Sequence, residues 1–144
     1  MIRLETVTPD NWRLGLHVRE DQRGFVADSA GILARAWAYR NSRSRAFVIY
    51  NDETPVGMAM YHDMEEDGAY DFSQFFIDER HQGNGYGHET AALILQMMKE
   101  DGKYDKVLLC YIDGDTAALR LYEKLGFRHT GDKYEDEIIM EKRL

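Results

Sequence analysis

The segment 75–88 constrains the fold most, because it joins a strand pattern to a helix pattern through three alternating glycines. Apolar residues lead into glycines at positions 83, 85 and 87, and a helical spacing of apolar residues follows at once. Glycine adopts positive φ readily, and its missing side chain lets an anion approach the main-chain amides. These amides converge at a helix N-terminus, where the helix dipole favours negative charge. The segment therefore predicts a cradle for a phosphate or a diphosphate.

Two better-known phosphate loops fit this segment badly. A Walker loop would continue with Gly-Lys-Ser/Thr, whereas His88 and Glu89 follow Gly87. A dinucleotide fingerprint has G-x-G-x-x-G spacing near the start of a βαβ fold, whereas the spacing here is G-x-G-x-G after several strands. A nucleotide-binding protein using the same loop, and a purely structural turn, stay open as alternatives.

Apolar periodicity predicts strands and helices in the order β-α-α-β-β-β-α-β-α-β-β. The strands are expected at 3–7, 46–50, 56–61, 70–78, 106–112, 127–133 and 138–142, and the helices at 8–23, 28–39, 87–99 and 116–125. The prediction of the first helix rests on the spacing of Trp12, Leu16 and Val18. The result is a mixed α/β fold with a mostly antiparallel N-terminal half and a right-handed parallel crossover over 70–112. A length of 144 residues is typical of one domain, so 1–144 is expected to be a single domain.

Composition excludes several classes of protein and of site. Acidic residues outnumber basic ones 26 to 18, and the resulting net charge of -8 disfavours a nucleic-acid binder. The same charge suits a cationic partner as well as plain solubility. A single cysteine rules out a disulfide within the chain and a cysteine-based zinc site. The five histidines show no ligand spacing, so no metal is expected.

The sequence shows no pattern of a membrane span or of a secretory leader. No apolar stretch approaches the roughly 20 residues that cross a bilayer. The first ten residues, MIRLETVTPD, lack an apolar signal core. We therefore expect a cytoplasmic protein with no membrane partner, and the single cysteine fits a reducing compartment.

Two motifs, taken together, resemble those of the GCN5-related N-acetyltransferase (GNAT) superfamily. The acetyl-CoA signature of that family, Arg/Gln-x-x-Gly-x-Gly/Ala, is matched without a break by QGNGYG at 82–87. A second motif, Asn-x-x-Ala-x-x-Leu-Tyr-x-x-x-Gly-Phe, is matched by DTAALRLYEKLGF at 115–127, with Asp115 in place of Asn. Shorter strings, FFIDER at 75–80 and DQ-x-x-FV at 21–26, are similar to those of bacterial spermine/spermidine acetyltransferases.

The resemblance implies that acetyl-CoA is the cosubstrate. It also implies a GNAT fold, whose mixed and mostly antiparallel sheet contains two parallel strands that splay apart, here 70–78 and 106–112. The pantetheine arm of CoA would lie in this opening as a pseudo-strand. The residues implied for the cofactor are Phe76, Ile77, Asp78, Gln82, Gly83, Asn84, Gly85, Tyr86, Gly87, His88, Asp115, Ala118 and Lys124.

The resemblance also places a tyrosine, here Tyr122, near the CoA sulfur, where it would donate a proton to the departing thiolate. A phenol with a pKa of about 10 is protonated at neutral pH and can make that donation. The alternative is that Tyr122 is a packed core residue. Cys110 lies in an apolar run, so we expect a buried core cysteine rather than a covalent relay.

The acceptor amine must lose a proton before it attacks, and the identity of the base is open. Strand alternation puts Asp71 on the face of Ser73, Phe75 and Ile77. Asp71 is the nearest carboxylate on that face, so it is a candidate base acting through water. A water chain alone is the alternative.

The resemblance predicts direct transfer of the acetyl group to a primary amine in a ternary complex, with a cationic polyamine as the first candidate. A polyamine needs spaced carboxylates, and each candidate can also be a solvated surface charge. The candidates are Glu20 and Asp21, which the resemblance places best, together with Asp28, Glu65, Glu66 and Asp71. Another small amine, an amino acid, a protein N-terminus and a non-catalytic CoA-binding module stay open. A homodimer is expected by resemblance.

Overall fold

The computed structural model describes residues 1–144 and contains seven strands, three α-helices and four short 3-10 turns. The strands are β1 (Ile2–Thr6), β2 (Arg45–Asn51), β3 (Thr54–Met64), β4 (Ala69–Ile77), β5 (Lys106–Ile112), β6 (Arg128–Tyr134) and β7 (Glu137–Arg143). The helices are α1 (Ser29–Ala38), α2 (Tyr86–Asp101) and α3 (Thr116–Lys124). The 3-10 turns cover Glu20–Gln22, Arg40–Ser42, Glu65–Asp67 and Glu79–His81. No helix is both long enough and apolar enough to cross a membrane.

All seven strands form one sheet in the order β1-β2-β3-β4-β5-β7-β6. Every neighbouring pair is antiparallel except β4 and β5, which are parallel. This pair is joined only through Tyr70 with Val107 and Asp71 with Leu108, after which the two strands part. The predicted mixed sheet and the predicted splay between 70–78 and 106–112 are therefore confirmed.

The first predicted helix, at 8–23, is wrong. Residues 8–28 form turns with one 3-10 turn at Glu20–Gln22, so three α-helices are present rather than four. Gly15 takes a φ of 71°, which interrupts helical geometry. Trp12 is 46% exposed whereas Leu16 is 5% exposed, so their spacing does not mark one buried helix face. The other predicted elements are present, with ends within three residues of the prediction.

Side-chain bonds to the backbone hold this N-terminal segment in place of a helix ladder. Asn11 accepts a hydrogen bond from the Thr8 amide at 2.7 Å and donates one to the Thr6 carbonyl at 3.1 Å. Farther along, the His17 amide donates to a carboxylate oxygen of Asp78 at 3.0 Å. Local bonds of this kind compete with helix formation. They bring the segment against the end of β4.

Hydrophobic clusters cover both faces of the sheet. The larger one packs α2 and α3 against the sheet, with Ile94 and Met98 fully buried against Tyr70. The smaller one lies under α1, where Ile32 packs against Met60 and neighbouring residues. The splay between β4 and β5 therefore has an α1 side and an α2–α3 side, which are chemically distinct.

A β-bulge in β4 changes which side chains of this strand share a face. Gln74 pairs with Met60 and Phe72 with Tyr61, so Ser73 is an extra residue without a partner on β3. The extra residue reverses the alternation of side chains. Asp71 and Gln74 therefore lie on the α1 face, and so does Ser73, whose hydroxyl accepts a hydrogen bond from Arg35 of α1. The expectation that Asp71 shares a face with Ser73 holds, whereas the expectation that it also shares that face with Phe75 and Ile77 is wrong.

Candidate active site

A cavity of about 360 Å³ opens where β4 and β5 part. Its walls include 72–77 of β4 and 110–112 of β5, so Phe76 and Ile77, which are predicted to pair with the pantetheine arm, both line it. The loop between β4 and α2, and one face of α3, complete the enclosure. The glycine segment and the second sequence motif, which lie about 30 residues apart in the chain, thus meet around one space.

The glycine loop presents free amides at the start of α2. Gly83 and Gly85 have φ values of 82° and 80°, and a Cβ built at either position would point into open space. The amides of Gly83, Asn84 and Gly85 donate no hydrogen bond to another backbone group of the chain. The first amides of α2 have no partner within the helix either. These observations fit a bound diphosphate, which needs several unpaired N–H donors.

The side chains of the loop serve mainly to fix its shape. Gln82 Nε2 donates to the Ile77 carbonyl at 2.9 Å and to the Gln22 side-chain oxygen at 2.9 Å. Asn84 Nδ2 donates to the His81 carbonyl at 3.0 Å. The Asn84 side chain does not line the cavity. Its main-chain amide is the group that remains available for the predicted cofactor contact. His88 is exposed and also lies outside the cavity wall.

Gly87 and Tyr86 have other local roles. A Cβ at Gly87 would meet Leu121, Phe75 and Ile77 at 3.8–3.9 Å, so this glycine lies where α2, α3 and β4 approach one another. Tyr86 lines the cavity, and its hydroxyl accepts a hydrogen bond from Asn51 at 3.0 Å.

Asp78 is fully buried, and its carboxylate is occupied by the chain itself. It accepts hydrogen bonds from the amides of His17 and Arg80, both at 3.0 Å, and pairs with the Arg80 guanidinium at 2.8 Å. Burial opposes ionisation, but the guanidinium and the two amides outweigh it and hold the pKa of Asp78 at about 2. Its own amide donates to the Val56 carbonyl at 2.7 Å. Asp78 therefore ties the N-terminal segment to the base of the glycine loop and has no free group for a cofactor.

Tyr122 lies on α3 and lines the cavity, with 9% of its surface exposed. Its ring packs edge-on against Phe127 at 5.8 Å and Phe72 at 6.5 Å. Burial raises the pKa of the Tyr122 hydroxyl above its ordinary value of 10, and the charges of Asp115 and Cys110 add to this. The hydroxyl is therefore protonated at neutral pH and available as a proton donor.

The second motif also places Asp115 and Ala118 at the cavity wall. Asp115 is the N-cap of α3 and accepts from the Ala118 amide at 3.2 Å. Asn and Asp cap helices about equally well, so the departure from the motif leaves this role intact. Lys124 ends α3 on an exposed surface outside the cavity.

The acceptor residues predicted on the N-terminal segment are not at the cavity wall. Glu20 and Asp21 are exposed, and Asp21 pairs with Arg19 at 3.3 Å. Their neighbours Gln22 and Phe25 line the cavity instead. The predicted segment therefore borders the cavity, through Gln22 and Phe25 rather than through Glu20 and Asp21.

Cys110 is exposed to the cavity, so the prediction of a core cysteine is wrong. The physical reason is the splay, since β4 has already turned away at this level and leaves Cys110 uncovered. Partial enclosure by protein raises the pKa of its thiol to about 11, and the charges of Glu137 and Asp71 contribute. Because the thiolate is the nucleophile, a thiol with this pKa is a poor covalent relay.

Two carboxylates border the α1 side of the splay. Glu137 lies at the start of β7 opposite Ile112 and lines the cavity. Sequence reasoning missed it, because only the strand register brings the end of the chain to this cleft. Asp71 lies on β4, on the other side of β5, beside Leu108 at the last paired position before the splay, and is 9% exposed. It is behind the cavity wall rather than in it.

Comparison with known families identifies the chain. Residues 9–127 match the model of the acetyltransferase (GNAT) family. The chain belongs to the GNAT acetyltransferase family. This membership confirms the prediction of an acetyl-CoA-dependent N-acetyltransferase. It also agrees with the cavity, whose walls carry both GNAT motifs.

The chain is also similar to individual acetyltransferases. The chain is 30% identical to the spermine/spermidine N(1)-acetyltransferase of Bacillus subtilis, over 99% of both chains. Its fold matches a Vibrio cholerae spermidine N-acetyltransferase solved with CoA and spermine, with a TM-score of 0.78 at 17% identity over 99% of this chain and 95% of that one. An aminoglycoside acetyltransferase solved with coenzyme A and kanamycin gives a TM-score of 0.80 at 14% identity, over 99% of this chain and 95% of that one. At these identities the solved structures establish the fold alone.

Proposed function

We propose that this GNAT enzyme transfers the acetyl group of acetyl-CoA to a primary amine of a polyamine, with spermidine and spermine as the preferred acceptors. The observation that carries the acceptor class is the similarity to the Bacillus subtilis enzyme, which extends over 99% of both chains. The net charge of -8 supports the same conclusion, because an acidic surface concentrates polycations.

The cofactor half of the site consists of main-chain groups. Acetyl-CoA supplies the activated acetyl group. The free amides of 83–88 bind the diphosphate, and the β4 backbone at Phe76 and Ile77 pairs with the pantetheine arm in the splay. The exposed amides and the strand parting support this assignment. Lys124 is exposed and does not line the cavity, so its proposed role is limited to an outer phosphate.

Tyr122 is the proposed catalytic acid. Its raised pKa keeps the hydroxyl protonated throughout the neutral range. It donates that proton to the thiolate as the acetyl group leaves, a step that general acids accelerate by about 10²–10⁴-fold.

The acceptor enters from the α1 side, where the carboxylates lie. Glu137 at the cavity wall binds an ammonium group of the polyamine, and Asp71 takes up the proton that the attacking nitrogen loses. Glu20 and Asp21 attract the distal ammonium groups at the rim, where exposure to solvent weakens each pair to about 0–1 kcal/mol.

An amine panel tests this function. Thiol release from acetyl-CoA is measured with spermidine, spermine, a monoamine of similar length, kanamycin, lysine and a peptide with a free N-terminus. We expect the two polyamines to give the highest kcat/KM, at least tenfold above the monoamine. Preference for kanamycin or the peptide would reassign the acceptor class, and CoA binding without turnover of any amine would indicate a non-catalytic module.

A charge-matched pair of variants tests the acceptor site. Glu137→Gln should raise the KM for spermidine about tenfold, which corresponds to 1.4 kcal/mol, and should leave the KM for acetyl-CoA unchanged. Glu53→Gln, at a 95% exposed position on the β2–β3 turn, removes the same charge and should change neither constant. Equal effects of the two variants on the KM for spermidine would show that the net charge of the protein, and not a contact with Glu137, determines acceptor binding.

Three further expectations stay predictions. The sheet runs from Ile2 to Arg143, which supports a single domain over 1–144. A homodimer is checked by light scattering of the purified protein. A cytoplasmic location is checked by fractionation of cells that express the chain.

A further inference from the structure

A buried histidine faces Asp71 from the next strand. His62 on β3 and Asp71 on β4 are direct partners in the sheet register. His62 Nε2 lies 3.2 Å from a carboxylate oxygen of Asp71, and this buried nitrogen makes no hydrogen bond. The His62 side chain is 2% exposed and the Asp71 side chain is 13% exposed. The pair is therefore shielded from water except at the carboxylate.

The geometry of the pair leaves a place for one more proton than a neutral histidine provides. His62 Nδ1 lies 2.8 Å from the Asp63 carbonyl oxygen, which only accepts hydrogen bonds, so Nδ1 carries the hydrogen. A neutral imidazole has one N–H, so Nε2 would then turn a lone pair toward a carboxylate. That arrangement is repulsive until a proton enters between Nε2 and Asp71.

Some of the groups around the pair raise the pKa of His62 and others lower it. Tyr39 stacks on the His62 ring at 4.2 Å with an interplanar angle of 11°, and the Arg35 guanidinium lies 4.9 Å from the Tyr39 ring centre. On the other side, Cys110 of β5 lies near enough for the charge of Asp71 to act on its thiol. Burial and Arg35 lower the pKa of His62, but Asp71 and the Asp63 carbonyl outweigh them and raise it above 6.5.

The position of the pair connects it to the acceptor side of the cleft. Asp71 is joined to Leu108 at the last pairing before β4 and β5 part. Cys110, two residues farther along the same face of β5, lines the cavity. Arg35, which donates to the Ser73 hydroxyl, fixes the bulge that follows Asp71. On the α1 side, Asp71 therefore lies between the cleft and His62, so a proton that leaves the cleft on this side reaches Asp71 before His62.

We propose that His62 and Asp71 act as one proton-accepting unit, which takes up the proton that the acceptor ammonium must lose before attack. This rests on the proposed N-acetyltransferase function. One N–H bond of the ammonium breaks, its electron pair stays on nitrogen for the attack, and the proton passes through water to Asp71 and ends on His62 Nε2. The unit changes from imidazole–carboxylate to imidazolium–carboxylate. His62 does not touch the substrate and is a positioning residue that acts through Asp71.

The pH profile of His62→Gln tests the proposal in the full-length enzyme. Glutamine can still donate a hydrogen bond to Asp71 but cannot store the proton. In the wild type, kcat/KM for the acceptor should rise through a pKa above 6.5, and in His62→Gln this rise should move at least one pH unit lower. Tyr122→Phe, which leaves the pair intact, should keep the rise at the wild-type pH despite its lower rate. Superimposable profiles of the wild type and His62→Gln would overturn the proposal.

A nuclear magnetic resonance titration of the His62 imidazole, without any substrate, provides an independent readout. We expect both ring nitrogens to be protonated at pH 6.5, and in Asp71→Asn the pKa should fall below 6.5 because burial then dominates. A His62 pKa that does not respond to Asp71→Asn would refute the shared proton. Absence of turnover with every amine in the wild type would instead refute the proposed function, and the titration would still decide whether the proton is shared.

Discussion

Replacing Asp78 by Asn removes the buried carboxylate that joins the N-terminal segment at His17 to Arg80 at the base of the glycine loop. The pKa of Asp78 is about 2 against an ordinary value of 3.8, and one pKa unit corresponds to about 1.36 kcal/mol. The ionised carboxylate therefore stabilises the fold by roughly 2.5 kcal/mol at neutral pH. Asp78→Asn should lose an amount of this order, because asparagine keeps the shape but not the charge opposite Arg80.

The pH dependence of this effect has a definite sign. Because the folded-state pKa is depressed, the stabilisation is complete above pH 3.8 and is lost as the pH falls toward 2. The difference in unfolding free energy between wild type and Asp78→Asn should thus be constant from pH 7 to pH 5 and shrink below pH 4.

Urea denaturation followed by circular dichroism at pH 7, 5 and 3 measures this difference directly. Asp132→Asn, at an exposed position on β6, is the matched control and should change stability by less than about 0.5 kcal/mol. A loss below 0.5 kcal/mol for Asp78→Asn at pH 7, or a loss that persists unchanged at pH 3, would refute the reasoning.

Two further predictions address the cofactor and the chemistry. Tyr122→Phe should lower kcat by about 10²–10⁴-fold while the KM for acetyl-CoA stays within about twofold, and unchanged turnover in steady-state assays would remove Tyr122 from the mechanism. Gly85→Val should weaken CoA binding at least tenfold in calorimetry, because valine at a φ of 80° is strained and crowds the amides. Gly102→Val, at a φ of 73° beyond α2, should lose similar stability but retain CoA binding, and equal losses of affinity would refute the cradle.

Features encoded by neighbouring residues were predictable from the sequence. The glycine loop, the capped helix α3 and the apolar strand β5 each have a local pattern, and all three are present. The splay was implied by the resemblance to the GNAT family that the two motifs carry. The family assignment follows from these same motifs.

Features set by distant contacts were not predictable. The 8–23 segment has helical spacing, but its amides and side chains bond to β1 and to Asp78 instead. The bulge at Ser73 puts Asp71 on the face opposite Phe75 and Ile77, and no feature of the sequence indicates this. The same long-range register brings Glu137 to the cleft and leaves Cys110 uncovered. Both carboxylates assigned to the acceptor side thus depend on pairing between strands.

A crystal structure of the enzyme with CoA tests the central claim most directly. The account predicts diphosphate oxygens about 2.9 Å from the amides of residues 83–88, with the pantetheine arm between β4 and β5 and its sulfur beside Tyr122. A diphosphate bound elsewhere, or a pantetheine arm outside the splay, would contradict it.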